Sequence, residues 1–213
     1  MNTAILLIRH GQTTWNVEQR YRGQADVPLD ETGQLQAEAT AEYVCARWSP
    51  SAIYASPLQR AADTAQAIAS ALRLPVVPSE GLLDINFGEL QGLPTSEAQA
   101  RYPEITRSWI DSPHTTYFPG GECLNDVRER TAQTLQKTVS NHAGETVVLV
   151  AHTVYNRVML CAALDLGNEY FWRLAQETCA VNLLEWDGAR FLLTSLNDTS
   201  HLWRVEQGRG NHG

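Results

Sequence analysis

The chain has 213 residues, 43% of them hydrophobic, enough to bury a sizeable core within one large domain. A formal net charge of -8, from 24 acids and 16 bases, argues against nucleic acid or an anionic membrane as the main partner, yet leaves room for a local arginine pocket around a small anion. Cys45, Cys123, Cys161 and Cys179 are widely spaced, and there is no basic leader or bilayer-length apolar run; free thiols in a cytoplasmic protein are expected, not a disulfide or zinc framework.

Ala4 to Ile8 is an unbroken apolar run that reads as a strand buried on both faces, and it ends in Arg9-His10-Gly11 followed by Gln12-Thr13-Thr14-Trp15-Asn16. In an open α/β sheet, ligands bind beyond the carboxyl ends of the strands, so a cation and an imidazole stand where a ligand would. Arg9 offers a planar fork to an oxyanion, and Thr13 and Asn16 offer uncharged donors. Gln19 to Asp30 is a loop in which Arg20, Arg22 and Gly23 either line a pocket mouth or are solvated.

Thr32 to Trp48 predicts a helix over one sheet face through Leu35, Ala39, Tyr43 and Val44, stopped by Ser49-Pro50. Ala52 to Ala55 reads as a short strand, and Ser56-Pro57 as the N-cap and first residue of a helix reaching about Leu72. Arg60 falls in that helix's first turn, where a cation opposes the dipole. Its place just past a strand end favours an anion pocket over a solvated surface.

Leu74 to Pro78 reads as an edge strand. In Gly81 to Gly92, Asp84 sits inside an apolar run, so it is either desolvated with a use for its proton or paired with a base; Glu89 is the competing carboxylate. Two short helices, Ser96 to Tyr102 and Glu104 to Ile110, and a tight turn at Phe118 to Gly121 precede a long helix from Glu122 to about His142. Thr146 to Ala151 then repeats the opening pattern, ending in His152 and followed by Thr153 and a helix bearing Arg157. Asn168 to Trp172 starts a further short helix, and Ala180 to Trp186 with Phe191 to Leu196 predict a hairpin at the sheet edge. We expect one domain over residues 1–205, with a helical cap at about 93–121 and a flexible tail at 206–213.

Arg9, His10, Asn16, Arg60 and His152 all follow strand ends, so one sheet can gather them around a tetrahedral dianion. With no metal-ligand spacing beside them, one imidazole is expected to attack phosphorus and the other to stabilise the transferring group, with Asp84 as proton donor to the leaving alcohol.

At these residues the chain resembles the histidine phosphatase superfamily, which includes cofactor-dependent phosphoglycerate mutase. The resemblance rests on Ile8-Arg9-His10-Gly11-Gln12-Thr13 with Trp15-Asn16, on Ser56-Pro57-Leu58-Gln59-Arg60-Ala61 with Thr64-Ala65, on Phe118 to Glu122 and on Val150-Ala151-His152. It implies a three-layer α/β/α sandwich with a mostly parallel central sheet. It also implies His10 as the phosphorylated nucleophile, and Arg9, Arg60 and His152 as phosphoryl ligands assisted by Asn16 or Thr13. Asp84 stands where the family usually has a glutamate as general acid, so its carboxyl must reach about one bond further or its loop must move in. No cofactor or metal is implied, and a homodimer is.

The chain lacks the lid insertion of the mutases, which favours a phosphatase acting on a small phosphorylated metabolite. His152-Thr153-Val154, the segment from Tyr102 through Trp109 to His114, Phe171-Trp172 and Thr199 to Leu202 are similar to metal-independent phosphoserine phosphatases, the last also to α-ribazole phosphatases. L-Phosphoserine is the leading substrate by that resemblance. Phe87 departs from it, standing where that branch tends to carry a substrate-holding histidine. Arg22, Gly23, Phe87 and Thr153 are candidate substrate contacts; His114 and His201 are either carboxylate or amine contacts or solvated loop histidines.

Overall fold

The computed structural model describes residues 2–203 and 205; the tail expected at 206–213 lies outside them. The strands are β1 (Thr3–Arg9), β2 (Ala52–Ala55), β3 (Val76–Pro78), β4 (Thr146–Ala151), β5 (Val181–Trp186) and β6 (Phe191–Asp198). They form one sheet in the order β3-β2-β4-β1-β5-β6. Strands β1 to β4 run parallel, while β5 and β6 are the antiparallel hairpin at one edge. The helices are α1 (Thr14–Val17), α2 (Glu31–Arg47), α3 (Gln59–Leu72), α4 (Thr95–Arg101), α5 (Pro103–Asp111), α6 (Leu124–Asn141) and α7 (Thr153–Ala163).

Alternation along the two most apolar strands builds the three layers. Leu6 and Ile8 of β1 with Val148 and Val150 of β4 pack against Ala41 and Val44 of α2 and Ala61, Ala65 and Ile68 of α3. Ile5 and Leu7 with Val147 and Leu149 face the other way, onto Val127 and Leu135 of α6 and Val158 of α7. Burying each large aliphatic side chain contributes about 1.5–3 kcal/mol, and a strand that is apolar on both faces gains on both. The fold is thus the expected α/β/α sandwich.

Three local expectations are corrected. Leu35 is 53% exposed; α2 turns Ala37, Ala41 and Val44 inward together with Gln36 and Thr40. Gln36 is inward because its Oε1 accepts from the Gln12 backbone N–H at 2.9 Å, tying the helix to the loop after His10. Helix α3 starts at Gln59, not at Pro57: Leu58 flanks it, and Asp26, from the loop after α1, accepts from the Gln59 N–H at 2.7 Å. A carboxylate brought in from that loop therefore serves the helix start, while Ser56, expected as its cap, accepts at 3.4 Å from the Leu58 N–H just before it. The long helix begins at Leu124, not Glu122, because Glu122 is held in the preceding loop by Arg130.

The turn after β1 is fixed by close backbone approach. A Cβ on Gly11 would lie 2.5 Å from the Gly33 carbonyl oxygen, and one on Gly33 would lie 2.1 Å from the Gln12 carbonyl oxygen. Asp30 caps α2 by accepting from Gly33 N–H at 2.8 Å and also accepts from the Gln12 side chain at 2.9 Å. Gly33→Ala is therefore expected to lower stability by about 1–3 kcal/mol, the range for forced overpacking, as read by denaturant unfolding. An unchanged unfolding midpoint would show that this approach can relax.

Candidate active site

The register of β1 on β4 sets the centre. Arg9 pairs with Ala151 across the parallel ladder, and His10 N–H donates to the Ala151 carbonyl at 3.0 Å. The next residue on each chain is an imidazole, so His10 and His152 leave the sheet side by side with ring centroids 5.2 Å apart. Both are buried, at 1% and 0% exposure. His10 Nδ1 lies 2.6 Å from the Gly11 carbonyl oxygen, which only a protonated Nδ1 can satisfy, so its Nε2 carries the lone pair. Arg60 Nε–H donates to that Nε2 at 3.3 Å. Burial and then the Arg60 guanidinium hold the His10 imidazole well below its ordinary 6.5; burial, Arg60 and Arg22 do the same to His152. Both rings are neutral at pH 7, as a nitrogen nucleophile must be.

Arg60 is fully buried in the first turn of α3, where the sequence asked what offsets a cation against the dipole. The loop after α1 does so: the Gly23 and Ala25 carbonyls accept from its two Nη atoms at 2.7 Å each. Gly23, at φ +51, is thus a backbone ligand of Arg60, and it is not among the cavity-lining residues. Arg9 is anchored from the other side. Its Nη1 donates to the Gln176 carbonyl at 2.5 Å, and the Gln176 side chain is locked by Asn182 at 2.7 Å and by Asn156 at 3.2 Å. Two positions earlier, the Leu174 carbonyl accepts from Arg157 Nε at 2.7 Å. Burial pulls Arg9 down to about 9 and Arg60 to about 10, so both stay cationic at neutral pH.

Asp84 is 3% exposed with its Oδ1 unpartnered, and burial raises its pKa above the usual 3.8 despite the pull of Arg60 and Arg22. Its loop is clamped from α6. Arg130 donates to the Asp84 carbonyl at 2.9 Å and pairs with Glu122, whose Oε2 accepts from Asn86 N–H at 2.7 Å. Glu89 is exposed and accepts from the Tyr102 hydroxyl at 2.9 Å, outside the cavity lining, so the two carboxylates are separated.

A cavity of about 410 Å³ lies against this cluster, with Asn16, Arg22, Asp84 and Thr153 in its wall. Asn16 Oδ1 accepts from the Thr13 backbone at 3.0 Å and from its hydroxyl at 2.8 Å, so buried Thr13 positions Asn16. Arg9 Nε, Arg22 Nε, Asp84 Oδ1, Thr153 Oγ1 and both His152 ring nitrogens are buried without hydrogen-bond partners. Such groups are costly to leave unmatched, and these have the mix of donors that a phosphoryl group needs. The outer wall is aromatic: Phe87, Trp109, Phe171 and Trp172, with the Trp172 indole N–H donating to the Trp109 carbonyl at 2.8 Å. His114 and His201 do not line it. His114 is exposed in the turn after α5, and His201 stacks on Tyr43 at 4.6 Å and bonds Thr40 at 3.0 Å, over α2. Sequence reasoning noted Arg157 and gave it no role, yet it lines the cavity; its spacing of four from Thr153 on one helix was the available signal.

Because desolvation outweighs its cationic neighbours, the Asp84 carboxylate costs stability once pH rises through its raised folded value, and that cost is absent below the unfolded 3.8. Asp84→Asn is expected to raise the thermal midpoint at pH 7 by roughly 2–4 °C, the response of a domain this size to about 1 kcal/mol, and to leave it unraised at pH 3.5. Calorimetry at the two pH values checks the sign.

A profile of the histidine phosphatase superfamily (branch 1) matches residues 5–199. Phosphoserine phosphatase 1 of Hydrogenobacter thermophilus is 35% identical over 198 residues, spanning 93% of this chain and 93% of that protein. The metal-independent phosphoserine phosphatase of Arabidopsis thaliana is 32% identical over 212 residues, spanning 95% and 84%. Among solved structures, Bacillus stearothermophilus YhfR superposes with a TM-score of 0.89 at 31% identity, covering 94% of this chain and 99% of that one. The phosphoserine phosphatase of Entamoeba histolytica, solved with 3-phosphoglyceric acid, gives 0.84 at 26% identity, covering 94% and 99%. Matched over nearly its whole described length, and with the paired imidazoles and arginines of the signature blocks gathered at its strand ends, the chain belongs to the histidine phosphatase superfamily and is a phosphatase.

Proposed function

We propose that the protein hydrolyses small phosphomonoesters through a phosphohistidine at His10, without a metal. The observation that carries this reading is the His10 ring, with Nδ1 on the Gly11 carbonyl and Nε2 facing Arg60 Nε, set 5.2 Å from His152. The dianionic phosphoryl group is bound by Arg9, Arg60, His152 and the Asn16 amide. Arg60 Nε then exchanges its hydrogen bond to His10 Nε2 for one to a phosphoryl oxygen, freeing that lone pair for in-line attack. The P–N bond forms as the P–O bond to the leaving alkoxide breaks, and protonated Asp84 delivers its proton to that oxygen. In the second half, Asp84 accepts a proton from water as the water oxygen displaces His10, releasing inorganic phosphate. His152, which takes up a proton from solvent as the dianion binds beside it, stabilises charge in both steps.

L-Phosphoserine is the leading substrate, supported by the names of the Hydrogenobacter and Arabidopsis relatives. A carboxylate-bearing monoester without an amine is the second reading, because Asp84 is the one acid among the residues lining the cavity and an ammonium group finds no other counter-charge there. His10→Ala is expected to abolish phosphate release with EDTA present, and acid-labile label from a radioactive substrate to map to His10 in the wild type. A covalent adduct elsewhere would overturn the mechanism. Asp84→Asn is expected to slow alkyl phosphates at least about a hundredfold and p-nitrophenyl phosphate far less, since the aryl alkoxide needs little protonation. Equal losses on both would remove Asp84 as the proton donor.

A further inference from the structure

Arg157 is a cavity-lining cation to which the phosphoryl chemistry gives no role. It stands on α7, four residues beyond Thr153, with which it shares the cavity wall, and five beyond His152, roughly 7.5 Å along the helix axis. Arg60, Arg9 and Arg22 all act on both imidazoles, whereas Arg157 acts on Arg9. Its guanidinium carbon is 5.1 Å from the Phe171 ring centroid and 4.9 Å from that of Trp172, and its Nε is tied to the Leu174 carbonyl. The two rings, inclined at 80° to each other, flank the guanidinium, and among the described residues its Nη atoms have no hydrogen-bond partner while Nε is anchored.

Charge points the same way. Among the described residues no carboxylate lies within 4 Å of Arg157, and Glu177 acts on it at longer range. Arg20, the other outer cation of the cavity, is already paired with Glu18 and bonded to the Gly92 carbonyl. One turn toward phosphorus, Thr153 Oγ1 is buried without a partner. A planar fork anchored at Nε, with no carboxylate within 4 Å among the described residues and an unpartnered hydroxyl one helical turn away, is the donor set for a carboxylate.

We infer that Arg157 and Thr153 form a subsite that binds a carboxylate on the leaving alcohol, selecting phosphorylated acids over neutral or purely cationic phosphomonoesters. The inference deepens the phosphatase reading above and rests on it. Two substrate pairs isolate the carboxylate: phosphoserine against phosphoethanolamine, and 3-phosphoglycerate against glycerol 3-phosphate. The wild type is expected to favour the acid in at least one pair by about tenfold or more in kcat/KM, the size of one charge-assisted hydrogen-bonded pair. In Arg157→Gln that ratio is expected to fall to near one, chiefly through the KM of the acid, and Arg157→Lys is expected to restore part of it. Ratios within one preparation cancel losses from misfolded enzyme. A wild-type preference that survives in Arg157→Gln, or no preference in either pair, would overturn the subsite while leaving the phosphatase standing. Failure of the wild type to release phosphate from any of these esters or from p-nitrophenyl phosphate would instead overturn the phosphatase reading, and the subsite with it.

Discussion

The site depends on one constraint, the unstaggered parallel pairing of β1 with β4. Adjacent strands lie about 4.8 Å apart, and residues at matching heights leave them at nearly that spacing. The imidazole centroids at 5.2 Å are this repeat carried one residue past the ladder. A slip of one residue would turn one ring to the opposite face of the sheet. The double-sided apolar burial of both strands forbids that slip, since it would drive Leu6 and Ile8 out of one core and Ile5 and Leu7 out of the other. The hydrophobic effect thus sets the distance between the two imidazole rings.

The second constraint is electrostatic. Two buried arginines beside two imidazoles would be prohibitive if all four groups were charged, and the structure resolves this by keeping both rings neutral and giving the guanidinium groups main-chain carbonyls. Carbonyls satisfy hydrogen bonds without cancelling charge, so the cluster keeps its attraction for a dianion. The protein's overall charge of -8 does not oppose this, because screening limits distant surface acids while the pocket field is local.

The parts of this arrangement carried by local pattern were legible in the sequence. Arg9, His10 and His152 could be placed because an apolar run announces where a buried strand ends. Asp84 stood out as an acid inside such a run. What failed was what distant segments decide. Ser56-Pro57 is a sound local cap signal, yet Asp26 serves the helix start. Leu35 fits a helical stripe, yet α2 turns Gln36 inward to meet Gln12. The Gln176 carbonyl that holds Arg9 has no side-chain signature at all, and the Glu122–Arg130 clamp on the Asp84 loop joins residues whose partnership only the tertiary packing reveals.

The short main-chain run that receives Arg157 at Leu174 and Arg9 at Gln176 has a further consequence. Two side chains with many rotatable bonds are pinned to acceptors two positions apart, a span of roughly 6–7 Å in extended chain. The separation of inner and outer guanidinium groups is therefore gauged by peptide geometry rather than by rotamers. Inserting or removing a single residue there would reset the spacing between the two guanidinium groups while leaving the turn that carries His10 untouched.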